Sequence, residues 1–368
     1  MTIAAVHSII RDVGYTPTKR TFRQGIAYGD NLHAATPATL AAAFDDAVAV
    51  NAAWVRHDLA WDDVQPTSST QFLWGYFDAI VAAANDRHLK VLPILAYTPS
   101  WAGRVPPGTS DKYPPTDPNL FATFAAQAVA RYAPHGVHTW EIWNEPNVGG
   151  FWAPSADPTG YKNLVSAAVT AMKAVDPTAF IITGGTAPTS TSGPNYSPID
   201  WTNQLCSNGT FDLVDGVGVH PYSYPVPPGY VADWNAWWQM EHTSGTSLQS
   251  IVSTLTNAGY NGTTKPLKKL WCTEYGAPTG GPGNVGTIPT YGLGTSPDHV
   301  DEPLQAQMAN DSVTQAAASA NIDALFWYSY KDLGTSMSTI QNWFGQRRFD
   351  GTAKPAWQNY HDAVKAHL

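Results

Sequence analysis

An α/β fold, a (β/α)8 TIM barrel with long βα loops, follows from three features of this 368-residue chain. Short apolar runs alternate with amphipathic stretches eight times, which implies a parallel sheet with helical crossovers. Eight such units in one chain of this length favour a closed barrel over an open doubly wound sheet. The turn after the first run, Gly25 to Gly29, does not supply the GxGxxG of a dinucleotide-binding sheet.

The elements follow in order. Strand-like runs are FRQGIAYG from Phe22, AAWVRHDL from Ala52, LKVLPILAY from Leu89 and VHTWEIWNE from Val137. They continue with AFIITGG from Ala179, VDGVGVHPY from Val214, LKKLWCTEYG from Leu267 and IDALFWYSY from Ile322. Clear helical patterns between them open at Thr36, Phe72, Asp117, Asp157 and Asp301, and a last one closes the chain with PAWQNYHDAVKAHL. Several of these helices open on Asp or Thr with Pro in the first turn, a helix-start signal. The longest irregular stretches are Thr98–Pro118, Thr186–Pro198, Tyr222–Thr243 and Gly276–Pro303. All follow strand C-termini, where barrel enzymes carry their chemistry, so they predict a walled cleft. The chain reads as one catalytic domain over residues 1–368, with residues 1–20 as an N-terminal extension.

Composition narrows the partners. A net charge of −9 leaves no basic stripe for nucleic acid or an anionic membrane surface. No apolar run approaches the roughly 20 residues needed to span a bilayer. The N-terminal MTIAAVHSIIRDVGYTPTKR lacks the pattern of a secretory signal, which leaves the cytoplasm, export by another route, or a leader already removed. The 15 Trp and 17 Tyr are compatible with stacking on sugar faces, and equally with an aromatic core. Cys206 and Cys272 form neither a disulfide framework nor a zinc spacing, and no bridge between them is expected. Cys272 shares strand parity with Glu274, so both are expected to face the barrel interior. A monomer is expected.

Two glutamates end apolar runs and have aromatic neighbours: Glu145 in WEIWNEPN on strand four and Glu274 in LWCTEYGAP on strand seven. An aromatic-lined site raises a carboxyl pKa by desolvation, whereas a nearby Arg lowers it. Two carboxyls separated in this way suit glycoside hydrolysis. Glu141 shares parity with Glu145 and is expected about 13 Å deeper along the strand as a buried structural residue. Asp58 follows Arg56 by two and is expected to help orient it.

Trp143-Asn144-Glu145-Pro146 resembles the Asn-Glu-Pro signature of the clan A glycoside hydrolases, the (β/α)8 retaining glycosidases of the family 39 and family 5 type. The resemblance extends over nearly the whole chain. It implies that Glu145 is the general acid/base and Glu274 the nucleophile. It also implies that Arg56 pairs with the nucleophile and that Asn144 bonds the hydroxyl beside the anomeric carbon. His220 and Tyr222 match a His-x-Tyr pair in which the Tyr donates to the nucleophile and the His lines the site. Trp327 in FWYSY matches a Trp that floors a sugar subsite. Thr98-Pro99-Ser100-Trp101 resembles a family 39 segment whose Trp borders the cleft, and FDGTAKPAW resembles the clan's ending. No metal or organic cofactor is implied. Structural alternatives stand beside these: a barrel-mouth ion pair for Arg56, a hydrogen-bonded core histidine for His220, and core packing for Trp327.

The implied function is double-displacement cleavage of an oligo- or polysaccharide. A noncatalytic carbohydrate-binding barrel and a transglycosylase with the same intermediate are the alternatives. A metal-dependent barrel would want His-x-His on strand one, which reads GIAYG. A phosphate-binding barrel would want glycine turns after strands seven and eight, but the one double Gly at a strand end, Gly184-Gly185, follows strand five. The sugar is not legible. The cluster Trp234, Trp237 and Trp238 suits either a long cleft wall or helix packing. High Ala, Thr and Pro with little Lys resembles proteins of high-GC actinobacteria and their phages, which makes a bacterial envelope glycan a candidate substrate.

Overall fold

Alternation of apolar strands with amphipathic helices closes into one parallel barrel. A computed structural model of the protein describes residues 22–103, 110–243, 248–293 and 297–368. The extension expected at residues 1–20 lies outside them. The strands are β1 (Arg23–Ala27), β2 (Trp54–Ala60), β3 (Lys90–Ala96), β4 (Thr139–Ile142), β5 (Phe180–Thr183), β6 (Gly216–Val219), β7 (Lys269–Tyr275) and β8 (Ile322–Tyr328). Each pairs with its sequence neighbours, and β1 pairs with β8 to complete the ring. The crossover helices are α1 (Pro37–Ala49), α2 (Gly75–Asn85), α3 (Pro118–Tyr132), α4 (Pro158–Val175), α5 (Pro198–Ser207), α6 (Ile251–Asn257), α7 (Glu302–Ala318) and α8 (Pro355–Ala366). Among the described residues, no helix is long and apolar enough to cross a membrane.

The helix starts follow from capping chemistry. Thr36, Asp117, Asp157, Ser197 and Asp301 each accept a hydrogen bond from a backbone N–H in the first turn, with Pro at one of the first two helical positions. The Ser197-Pro198 start opens α5, whose buried Pro198, Trp201, Thr202 and Leu205 fall on one helical face. The seven-residue α6 is too short for a periodic signal, and the reciprocal Ser250–Ser253 capping box holds its start.

The core has two layers. A small interior cluster fills the barrel: Ala27, Trp54, Leu92, Ile182, Trp271, Ala324 and Phe326. Its indoles meet edge to face, with the Trp54 and Trp271 centroids 6.0 Å apart. A larger apolar cluster lies between barrel and helices. Polar side chains occupy the mouth above the interior cluster, so the tight aromatic plug serves as the floor of the site.

One irregularity positions the chemistry. Between β8 and β7, Leu325 pairs with Cys272 and Trp327 with Tyr275, so three steps on β7 oppose two on β8. Such a bulge breaks strand alternation and re-aims side chains. Trp271 faces inward, and Thr273 and Glu274 both reach the polar centre of the mouth. Cys272, expected inside, instead packs outward with its Sγ 3.7 Å from Met240 Sδ. Both cysteines are unpaired.

Candidate active site

A cavity of about 650 Å³ opens at the C-terminal ends of the strands, lined by Glu145, Glu274, Asn144 and Tyr222 among others. That size suits a sugar-sized ligand. The two carboxyls approach closely, since one oxygen of Glu145, one of Glu274 and one ring nitrogen of His220 all lie within 4.8 Å of one another.

Arg56, the third residue of β2, organises the centre. It is fully buried, and its guanidinium donates to four acceptor atoms. Nη1 reaches Glu274 Oε1 at 2.6 Å, Nε reaches Glu141 Oε2 at 2.6 Å, and Nη2 reaches Glu141 Oε1 at 3.1 Å and Asn144 Oδ1 at 2.9 Å. The planar fork of Arg suits this geometry where the point charge of Lys would not. Arg donates only, so it fixes the Asn144 amide with its oxygen inward and its NH2 toward the cavity. Glu141 is fully buried and also accepts from Gly185 N at 2.9 Å and Thr273 Oγ1 at 3.0 Å. It therefore lies directly against Arg56, one contact from Glu274. The depth expected for it assumed an extended strand to Glu145, but β4 ends at Ile142 and the chain turns through left-handed φ values of 69° at Trp143 and 46° at Glu145.

The two glutamates have different neighbours. Glu274 accepts from Arg56 and, at 2.8 Å, from the Tyr222 hydroxyl. Burial would raise its pKa, but His220, Arg56 and Tyr222 outweigh that and hold it below the ordinary glutamate value. Glu145 contacts His220, with Nδ1 2.9 Å from Oε1.

His220 is held by a donor chain whose directions can be worked out. Thr273 Oγ1 gives its single proton to Glu141, so the 3.1 Å contact with His220 Nε2 requires the ring to donate there. A neutral ring then presents its Nδ1 lone pair to a protonated Glu145, and a charged ring donates from Nδ1 to ionised Glu145. In both cases one proton is held between the two groups. Burial opposes the charged ring, while Glu274 and Glu145 favour it, and the balance raises the His220 pKa. The ring fits because Gly185 carries no side chain: a Cβ there would sit 2.1 Å from His220 Nε2. The Gly184-Gly185 pair thus serves close packing. Glu145, His220 and Glu274 have the donors to ligate a metal ion, but the Arg56 guanidinium already places a positive charge 2.6 Å from Glu274.

Two expected residues lie elsewhere. Trp327 packs on the helix side, edge-on to Tyr275 at 5.9 Å and to Tyr360 of α8 at 6.3 Å. On β8 the residues that face inward are Ala324, Phe326 and Tyr328, and Tyr328 lines the cavity. Strand parity would have selected Tyr328 over its neighbour. Trp101 stacks edge-on against Trp61 at 5.6 Å, and its Nε1 donates to Gln65 O at 2.6 Å, so it braces the loop after β2. The Trp cluster divides. Trp234 is 53% exposed and lines the cavity, whereas Trp237 is buried against Tyr275. Sequence reading missed Tyr97, Lys112, Tyr224 and Phe344, cavity residues that carry no motif. Asp58 lines the cavity and makes no hydrogen bond to Arg56.

Residues 20–281 match the model of the cellulase family, glycosyl hydrolase family 5. The chain belongs to glycosyl hydrolase family 5. The matched range of this family 5 chain includes both Glu145 and Glu274. Similar solved structures include a family 39 glycoside hydrolase from Bacteroides cellulosilyticus WH2, with a TM-score of 0.67 and 20% identity over 94% of this chain and 63% of that one. A family 39 β-xylosidase from Caulobacter crescentus superposes with a TM-score of 0.61 at 19% identity, covering 94% and 71%. A family 5 subfamily 18 enzyme from Streptomyces cattleya, solved with GlcNAc, gives 0.62 at 15% identity, covering 95% and 80%. At these identities the likeness is one of fold. The family 5 chain spans less than two thirds of the first of these structures. A search of curated proteins returned no match.

Proposed function

We propose that this protein is a retaining glycoside hydrolase in which Glu145 is the general acid/base and Glu274 the nucleophile. The observation that carries the reading is the approach of the two carboxyls, with oxygens within 4.8 Å, in opposed environments. Retaining enzymes hold their carboxyls about 5–5.5 Å apart, whereas inverting ones need roughly 6.5–9.5 Å to admit water.

The reaction proceeds in two displacements. The proton held at the Glu145–His220 contact passes from Glu145 to the glycosidic oxygen as a Glu274 oxygen attacks the anomeric carbon. The bond to the leaving sugar breaks and a glycosyl ester forms on Glu274. Ionised Glu145 then takes a proton from water, the water attacks the anomeric carbon, and Glu274 departs as carboxylate. The sugar leaves with its configuration retained. Arg56 and Tyr222 keep Glu274 ionised before attack and stabilise it as leaving group. The Asn144 NH2 bonds the hydroxyl beside the anomeric carbon.

Glu274→Ala tests this. Turnover of an aryl glycoside should stop, and added azide should restore a glycosyl azide of inverted configuration. Near-normal activity in the variant would refute the nucleophile, and an inverted product from the unmodified enzyme would refute the mechanism.

A further inference from the structure

Asp58 and Asp30 are the acidic lining residues of the cavity that the proposed reaction does not use, and Asp58 is the more recessed of the two. It lies at the end of β2 among the lining residues, with Asp30, Lys112, Tyr97 and Tyr328 nearby. Its neighbours are engaged elsewhere. Arg56 is saturated by Glu141, Glu274 and Asn144. Lys112 Nζ binds Asp111 at 2.9 Å and sits 3.1 Å above the Tyr97 ring. Among the described residues the Asp58 carboxyl has no hydrogen-bond partner, although its backbone carbonyl accepts from the Tyr76 hydroxyl. A carboxyl recessed in a cavity wall without a protein partner is free to take its hydrogen bonds from water or from the donors of a ligand.

Its place in the ring indicates which part of a ligand it meets. Under the function proposed above, Glu145 on the β4 side protonates the leaving oxygen, so the leaving sugar lies toward Phe151, Pro188 and Trp234. The sugar attacked by Glu274 then lies toward β8, β1 and β2, where Tyr328, Asp30 and Asp58 project. We infer that Asp58 is a specificity-determining residue that accepts hydrogen bonds from the hydroxyls of a neutral glycone and rejects a uronic acid in the same position. A glycone carboxylate would face the Asp58 and Asp30 oxygens, and the one cation among the described lining residues, Lys112, is already paired with Asp111 and seated over Tyr97. Burial, with Asp30 and Glu274 adding to it against the pull of Arg56 and Lys112, raises the Asp58 pKa to about 7, so the comparison is made above that pH, where the carboxyl is ionised and repels a uronate.

The test compares p-nitrophenyl glucoside, galactoside and glucuronide. The unmodified enzyme should favour a neutral glycoside over the glucuronide by at least about 100-fold in kcat/KM. Asp58→Asn should lose about 10- to 100-fold on the neutral substrate, the range of a charged hydrogen bond, and shrink that preference at least tenfold. Ligand-observed NMR on Glu274→Ala protein reads the same contrast without turnover: neutral glycosides bind, the glucuronide does not, and adding Asp58→Asn removes the difference. Circular dichroism checks that each variant folds. A glucuronide bound as well as the neutral glycosides, no neutral glycoside bound, or a contrast that survives both Asp58→Asn and Asp58→Ala would overturn the inference. Absence of turnover with an intact binding contrast would instead count against the hydrolase reading alone.

Discussion

The ends of β4 and β7 present the same side chain in opposite company. At β7, Glu274 receives an arginine and a tyrosine hydroxyl, both donors, and is held as an anion. At β4, Glu145 meets one imidazole that can share a proton with it. The proton affinity of a glutamate is thus set by what donates to it, and with oxygens within 4.8 Å of each other the Arg56 and Tyr222 donors go to Glu274; under the proposed function this separates the two roles. The same division extends outward. The wall at β1, β2 and β8 carries Asp30, Asp58 and Tyr328, while the wall at β4 to β6 carries Phe151, Pro188 and Trp234.

The largest expected effect breaks the pair itself. Glu145→Ala should cost about 10²–10⁴-fold on substrates with poor leaving groups and far less on a dinitrophenyl glycoside, because only the former need a proton. Azide should then yield a glycosyl azide of retained configuration, opposite to the Glu274→Ala product, as read by NMR of the anomeric proton. Next, Arg56→Ala should strip Glu141 of its partner and destabilise the protein by roughly 3–5 kcal/mol in denaturant titration, the cost of a buried unpaired charge.

A third contrast lies on β8. Trp327→Ala should cost about 3–5 kcal/mol of stability while the folded fraction keeps kcat/KM within about twofold. Tyr328→Ala should do the reverse, lowering kcat/KM with a smaller change in melting temperature. Equal losses of activity in both would place Trp327 at the site after all. Tyr222→Phe removes one donor to Glu274, so the Glu274 pKa should rise and, if it is the nucleophile proposed above, the acid limb of the kcat/KM profile should move to higher pH, with a loss of about tenfold.

The smallest effect concerns stability. Asp58 has a raised pKa, so the folded state holds its proton longer than the unfolded chain. Its contribution therefore falls as pH rises from 3.8 toward about 7. Asp58→Asn should gain melting temperature relative to the parent at pH 8 and not at pH 4. An equal shift at both pH values would mean that the carboxyl is well solvated.

The barrel was legible because its signals are local. Eight apolar runs, and caps such as Asp117-Pro118 and Asp157-Pro158, need no distant partner to be read. Helix α6 escaped because it has only seven residues. Glu145, Glu274, Arg56, Asn144, His220 and Tyr222 were all found from motifs, and the structure brings them into one connected hydrogen-bond network. Trp327 was misplaced because a motif outweighed alternation. Cys272 was misplaced because alternation fails at a bulge. Glu141 was expected too far away because the strand was taken as straight past Ile142.

The sequence by itself determined the barrel, since its strands and helix caps are local patterns, and the resemblance of its motifs to clan A pointed to six polar residues that the fold gathers at the mouth. The tertiary structure alone decided that Glu141 supports Arg56, that Tyr328 replaces Trp327 in the cavity, and that Asp58 faces it without a partner. Those facts depend on the β7 bulge, the left-handed turn after β4 and contacts between residues far apart in the chain. Pairing across a closed sheet creates them, and no local pattern records them.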